Sequence, residues 1–417
     1  EEVVVTAQKT ESSLQDTPIA VTAVTEATIK DLNIKNVVDM QGIAPNVMLL
    51  PAPANNTGAS LAIRGGVAMN PAITWEPSVG TYLDGVYVGK TQGAIWDLVD
   101  LERVEILRGP QGTLYGRNTL AGAVNFISKK PSGEGMSGGL TLGNYGLKEG
   151  RFIADYRLGG NIFTKVVIHR KTRDGFVKNV PGPYGPFDGV VPNNLNPATA
   201  ELDTIDSKGF KFNIYYAGDQ TTVDFAIDWT DQDNTPPHPQ LGNIMAGWST
   251  AFGVGASPLT GGLLLWPAEK HPRLGLDKIT SLDKDMLETS VVEGTALTIT
   301  QDIGIGELKL IIAKRKLDWD DQLDMDGTPY PIFHTERHTA YSSKTVELQL
   351  TGSNDFMSYV AGYYQFDDDA FTHNPQEGFM GGFSIDQRYS GGGKATAFYG
   401  QATFDIGDRT DITLGTR

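Results

Sequence analysis

The sequence predicts an all-β membrane protein built on a transmembrane antiparallel β-barrel, and three observations carry that expectation. Its 417 residues include 49 Gly, 17 Phe and 15 Tyr at a mean hydropathy of -0.23, with no long apolar run for a spanning helix. Such a chain crosses a bilayer only as a closed ring of strands, which satisfies every backbone hydrogen bond internally. Period-two alternation is the second observation: Val223, Phe225, Ile227 and Trp229 fall on one face, and Asp224, Ala226, Asp228 and Thr230 on the other. Phe210, Phe212, Ile214 and Tyr216 repeat this against Lys211 and Asn213, as do Val346, Leu348 and Leu350 against Glu347 and Gln349. A soluble sandwich alternates in the same way, so connection lengths decide. Short turns at 158–161, 217–220, 303–306, 351–354 and 406–409 alternate with long segments near 172–207, 232–290, 320–340 and 367–394, which suits a membrane barrel with tight turns at one rim and long loops at the other.

The first part of the chain reads differently. In 97–131, the apolar Leu98, Leu101, Val104, Ile106, Leu107 and Leu114 alternate or cluster around Asp97, Asp100, Glu102, Arg103, Glu105 and Arg108, as in short half-buried strands. Gly109, Pro110 and Gly112 supply turn backbone, while Gly116 and Gly122 allow tight bends. GTLYGRNT is superficially like a phosphate loop, but its spacing is wrong and Arg117 stands where that motif needs a Lys. Upstream lie LAIRG at 61–65, PSVGTYLDGVYVGK at 77–90, and the opening Val3, Val4, Val5, Thr6 and Ala7.

In this order and spacing the motifs resemble the plug domain of TonB-dependent outer-membrane transporters. The wording of TAQKTESSLQDTPIAVTAV and LNIKNVVDMQGIAPNV is similar to the siderophore-receptor-like proteobacterial members. The resemblance implies an N-terminal extended segment with a TonB box at 1–8, an α+β plug domain in the lumen at 9–132, and the first half of the barrel at 133–417. The strand count supports that division: about 11 strands are legible here, against about 22 in a plugged transporter. The complete gene is therefore expected to continue beyond Arg417 with as many strands again, ending on an aromatic residue. Glu1 opens on the box with no basic and apolar leader, so the chain reads as mature protein.

The implied function is active import of a scarce bulky solute, a ferric siderophore or an organic nutrient, across the outer membrane, driven by the inner-membrane proton gradient. A ligand-sensing or attachment receptor on the same fold is the alternative. Val3, Val4, Val5, Thr6 and Ala7 would bind the TonB protein of the TonB-ExbB-ExbD complex by strand addition, for which β-branched residues suit. Arg64 and Arg108 match plug positions that dock on acidic groups of the barrel wall. Cargo contacts are expected from loops on the rigid scaffold: Met69, Asn70, Thr74, Trp75, Thr91, Gln92 and Trp96. Lys90 is the only nearby cation where a strongly anionic cargo would ordinarily meet more Arg or Lys, so neutral nutrients and less charged iron chelates remain open. Further partners are outer-membrane lipids with lipopolysaccharide, and an accessory outer-membrane lipoprotein.

Other chemistries are disfavoured. Residues 1–132 hold 10 Lys+Arg and 13 Asp+Glu, leaving -13 of the net -16 to the rest, so nucleic acid is not an expected partner. His334 and His338 lie four apart with no second pair to complete a metal site. The acidic run 318–327 lacks the spacing of a calcium loop and reads as solvated loop. No cysteine is present, no nucleophile, base and stabiliser cluster appears, and neither enzyme activity nor a cofactor is expected.

Overall fold

The structure is a computed structural model that describes residues 3–51, 56–68, 72–90, 92, 100–179, 200–236, 279–280, 282, 284–325, 333–378, 381–407 and 410–417. Its dominant element is a sheet of eleven strands in chain order, each antiparallel to the next. They are Gly135–Leu142, Lys148–Gly159, Ile162–Arg173, Ile205–Ala217, Thr221–Asn234, Leu287–Asp302, Glu307–Asp324, Phe333–Ser353, Met357–Gly378, Phe383–Asp405 and Asp411–Thr416.

Burial in this wall runs inside out. Leu348 is 40% exposed while its strand neighbours Glu347 and Gln349 are 2% and 5% exposed. Phe210, Ile214 and Tyr216 are exposed where Ser207 and Asn213 are buried. That order is stable only where the outward face meets hydrocarbon and the inward face meets polar groups. Among the described residues no helix is long and apolar enough to cross a membrane.

Short turns fall within the expected ranges at 160–161, 218–220 and 303–306, while residues 408–409 of the last expected turn lie outside the described residues, and one turn shifts. The strand through 351 continues to Ser353, and the turn moves to 354–356, where the Asn354 side chain accepts from the N–H groups of Phe356 and Met357 at 2.9 and 3.0 Å. Two expected long loops are corrected. Of 320–340 and 367–394, most is strand: Glu307–Asp324 pairs with Phe333–Ser353, and Met357–Gly378 pairs with Phe383–Asp405 across a four-residue gap. The physical reason is that a strand leaving the bilayer keeps its ladder but no longer needs an apolar outward face, so the alternation fades while pairing persists. The acidic run 318–327 is corrected with it, since its first seven residues lie in Glu307–Asp324. Much of 172–207 and 232–290 lies outside the described residues. The described edges of those segments join in a small sheet of Val177–Asn179, Glu201–Leu202 and Ile279–Thr280.

Against the inner face of the wall sits the N-terminal part. A mixed five-stranded sheet runs in the order Val21–Thr25, Leu101–Arg108, Gly122–Ser128, Val79–Leu83, Val86–Val88. The hairpin between the last two turns on Asp84 and Gly85, both at positive φ (51° and 83°), the Asp-Gly geometry that follows strand twist. Helix Glu26–Asp31 starts at Thr25, whose hydroxyl accepts from Thr28 N–H at 3.3 Å. Val24, Val37, Met40, Leu49, Ile63, Val104, Ile106 and Phe126 form the core between this sheet and the two-stranded Val47–Pro51 and Ala59–Ile63. No strand ladder joins this domain to the wall, because the two belong to separate sheets among the described residues.

Candidate functional site

The candidate site is the contact between inner domain and wall, beginning at the N-terminal strand. Val4–Val5 pairs antiparallel with Ser12–Ser13, and Leu14 N–H donates to Val3 carbonyl at 2.8 Å. The expected unpaired segment is therefore folded back on its own chain. Val5 and Ala7 are fully buried, packed with Tyr82, Leu107 and Tyr115 and with the wall residues Tyr364 and Tyr399. Glu105 accepts from Thr6 N–H at 2.7 Å and is held by Arg103 Nε at 2.9 Å. A turn then follows, closed by Lys9 N–H on Thr6 carbonyl, with Lys9 in left-handed backbone (φ 64°). That turn sends the Lys9 ammonium to Glu347 of the wall, between the rings of Tyr115 and Tyr399 at 5.7 and 5.4 Å. Tyr399 hydroxyl also donates to Glu347, and Gln349 Nε2 donates to Lys9 carbonyl at 3.1 Å.

Where the inner domain passes into the wall, the chain at 129–133 is gripped by its backbone. Asp155 accepts from Ser132 N–H and Gly133 N–H at 3.0 and 2.8 Å. Lys165 donates to the carbonyls of Lys129 and Lys130 at 3.3 and 3.1 Å and pairs with Asp100 at 3.2 Å and Asp155 at 3.4 Å. Beside it, Asp84 accepts from Ser128 N–H and pairs with Lys211 at 3.0 Å. Burial pushes the Asp84 carboxyl up, but the ammonium groups of Lys211 and Lys130 and the Ser128 N–H outweigh it and hold it well below the usual carboxylate range.

Two further contacts lie nearer the long-loop rim. Glu288, buried in the wall, accepts from Asn56 N–H at 2.5 Å, from Thr57 N–H and hydroxyl at 3.1 and 2.5 Å, and from Trp319 Nε1 at 3.2 Å. The Tyr341 ring tip enters the space that a side chain at Gly89 would fill, 1.9 Å from an ideal Cβ. Ile73 meanwhile packs into Leu317, Trp319, Tyr341 and Ala370.

The expected site residues are distributed as follows. Arg64 is exposed and lies against Gly109, so the IRG and LRG motifs meet, and neither Arg64 nor Arg108 forms an ion pair among the described residues. Arg108 Nε is buried without a hydrogen-bond partner. Thr74 and Trp75 are exposed beside Glu76, which pairs with Lys90 at 3.3 Å and Arg117 at 3.0 Å. Burial pushes the Glu76 carboxyl up, yet Lys90, the Asn118 amide and Arg117 outweigh it and keep it below its ordinary value. Gln92 is buried, and Met69, Asn70, Thr91 and Trp96 lie outside the described residues. His334 is buried and His338 exposed, both on Phe333–Ser353, and no group of three metal-ligating side chains occurs among the described residues. Lys9, Glu347, Glu288, Asp155 and Lys165 were not singled out as site residues by the sequence. Glu347 stood on the polar side of the alternation at 346–350, while Asp155, Lys165, Glu288 and Lys9 carried no signal read from the sequence.

An antiparallel wall, apolar outside and polar inside, with a separate domain docked on its inner face, defines the class as a plugged outer-membrane β-barrel. Residues 13–123 match the family described as TonB-dependent Receptor Plug Domain. The catecholate siderophore receptor Fiu of Escherichia coli (strain K12) is 28% identical over 165 residues, covering 38% of this chain and 20% of that protein. The ferrichrome outer membrane transporter/phage receptor of the same organism is 34% identical over 134 residues, covering 31% of this chain and 17% of that protein. Among solved structures, the ferric yersiniabactin uptake receptor FyuA from Yersinia pestis superposes with a TM-score of 0.72 at 17% identity, over 95% of this chain and 56% of that one. The ferripyoverdine receptor of Pseudomonas aeruginosa gives 0.74 at 14% identity, over 99% and 53%. Residues 13–123 thus carry the plug of a TonB-dependent receptor, and the relatives named here are receptors and transporters. It spans about half the length of the solved structures that it matches.

Proposed function

We propose that the complete protein imports a scarce bulky solute, a ferric siderophore or a similar organic nutrient, with TonB of the TonB-ExbB-ExbD complex pulling on Val3, Val4, Val5, Thr6 and Ala7. The observation that carries this reading is the way plug and wall meet. Each hydrogen bond described between them involves a side chain, and no ladder links the two sheets among the described residues, so the plug can shift while the strand ladder of the wall stays made. A pull on the N-terminal strand then works on its short pairing with Ser12–Ser13 and on contacts in which a side chain takes part, and leaves the wall ladder untouched. Thr74 and Trp75, with Met69, Asn70, Thr91, Gln92 and Trp96, are the proposed cargo contacts. Arg64 and Arg108 are proposed to dock on the part of the wall that this chain does not include. The names of the relatives, which bind catecholate, ferrichrome and yersiniabactin chelates, favour a ferric chelate. Lipopolysaccharide and an accessory lipoprotein stay proposed partners on the outward and outer-loop faces.

The test is Val4→Pro, which removes one backbone donor from the box. Accumulation of labelled ferric chelate is expected to drop to the level of a strain without TonB, while binding at the cell surface and the amount of receptor hold. Unchanged accumulation overturns coupling through this segment. A sensing or attachment receptor instead binds cargo without accumulating it even with the box intact.

A further inference from the structure

Two lysines on the outward face of the wall differ from the cations around them. Arg170 pairs with Asp206, Lys208 with Asp231 at 3.0 Å, Lys316 with Glu293 at 3.2 Å and Lys394 with Asp367 at 3.3 Å. Lys314 and Lys344 are exposed, and neither forms an ion pair among the described residues. They also face each other, since Lys314 stands directly opposite Lys344 in the ladder between Glu307–Asp324 and Phe333–Ser353. Asp367 is opposite Lys344 on its other side, but its salt bridge goes to Lys394. Like charges directly opposite one another in a sheet repel. In a wall that carries -13 of the chain's net -16, this lysine pair is left without a carboxylate, and an anion from outside the chain relieves it.

The surroundings select the anion. On the short-turn side of the pair the outward positions are apolar: Leu308, Leu310 and Ile312 precede Lys314, and Val346, Leu348 and Leu350 follow Lys344. Tyr363 and Phe398 continue the row of Leu348, their rings 5.2 Å apart, and Phe398 is 75% exposed. On the long-loop side Lys316, Asp318 and Ser342 take over. The pair therefore stands where the lipid-facing band ends toward the long-loop rim, which is the outer-leaflet side of an outer-membrane barrel. A ligand that fits puts its negative charge at that edge and an apolar body below it. Inorganic phosphate supplies the charge without the body, and a phosphorylated glycolipid supplies both. Lysine suits such a place, because its stem lies along apolar neighbours while the ammonium reaches the headgroups and binds phosphate as a point charge.

We propose that Lys314 and Lys344 form a binding site for a phosphate group of lipopolysaccharide, with the acyl chains laid over Ile312, Leu348, Tyr363 and Phe398. This deepens the reading of lipopolysaccharide as a partner of the outward face and uses neither cargo nor TonB. A lipid held there sets the height of the wall in the outer leaflet, beneath the paired strands that rise to the rim.

The complete receptor, purified in detergent and freed of lipid, is titrated with bisphosphorylated lipid A and with the same lipid after removal of both phosphates. The parent is expected to bind the phosphorylated form about tenfold more tightly or better, and Lys314→Gln with Lys344→Gln to abolish that preference. Lys314→Arg with Lys344→Arg is expected to keep it, which separates charge from any disturbance of the wall. Arg170→Gln with Lys208→Gln, which alters paired cations elsewhere on the same face, should change it by less than about twofold. Equal affinity in the parent and the Gln pair overturns the site and leaves lipopolysaccharide a partner at some other part of the wall, whereas no binding to the parent overturns both. Inorganic phosphate binding as tightly as the lipid makes the pair a free-anion site and sinks the lipid assignment.

Discussion

At its N-terminal end the plug meets the wall through Lys9, on a turn behind a two-residue strand, whereas at its C-terminal end the wall seizes the backbone itself. Asp155 and Lys165 bind four main-chain groups between Lys129 and Gly133, and the chain continues from there into the first wall strand. Removing Lys9 from Glu347 frees a segment, while removing Asp155 from 132–133 takes one of two carboxylates from a buried ammonium and unseats the point where the domain is covalently fixed. The difference gives the plug a direction. On the function proposed above, force applied at residues 3–7 would reach the Lys9 contact first and the backbone grip at 129–133 last, with the joint as the fixed point.

The harshest way to break this comparison is Asp155→Ala. It leaves the N–H groups of Ser132 and Gly133 without their acceptor and Lys165 with Asp100 as its remaining carboxylate, and about 1–3 kcal/mol is at stake for each buried group left unpaired. Loss of folded receptor from the outer membrane is expected, measured as protease-resistant barrel. If the plug stays docked and protected in that variant, the joint is not the fixed point. Next comes Gly89→Val, which places atoms where the Tyr341 hydroxyl sits and is expected to cost about 1–3 kcal/mol of plug docking, read by pulse proteolysis of the plug. Tyr341→Ala in the same chain should relieve it.

A smaller effect concerns acid. The Asp84 carboxyl is held low in the folded protein, so its contribution is fully present above its unfolded value of about 3.9 and is lost as pH falls below it toward the depressed folded value. Plug protection is therefore expected to weaken as pH drops from about 4 downward, and Asp84→Asn should flatten that dependence. A joint insensitive to Asp84→Asn below pH 4 would remove Asp84 from the grip. The mildest change is Trp75→Ala, expected to move stability by no more than about 0.5 kcal/mol, since the side chain is 56% exposed, while cargo affinity falls. Unaltered affinity for a bound ferric chelate removes Trp75 from the cargo surface.

Much of this architecture was legible in residue order. The alternation around Phe225 and Leu348 marked the lipid face because a strand exposes alternate side chains whatever it packs against, and short turns such as 217–220 were visible because tight reversals need particular residues. The hairpins above the bilayer were not legible, since strand pairing of Asp369 with Gly392 leaves no local pattern once both faces are polar. Nor were the anchors. Arg64 and Arg108 stood out through their motifs, yet the described contacts run through Lys9, Asp155, Lys165, Glu288 and Tyr341, ordinary residues in ordinary strings.

The sequence by itself determined the class of the protein, an outer-membrane barrel with a plug, because periodicity and the plug motifs are local properties of the chain. Tertiary structure alone decided how the parts hold one another. Lys9 lies 338 positions from Glu347, and a contact over that distance depends on where two separate sheets come to rest rather than on any residue near either. The same geometry turned residues 3–7 from an extended end into a stowed strand, since burial and pairing belong to the folded whole.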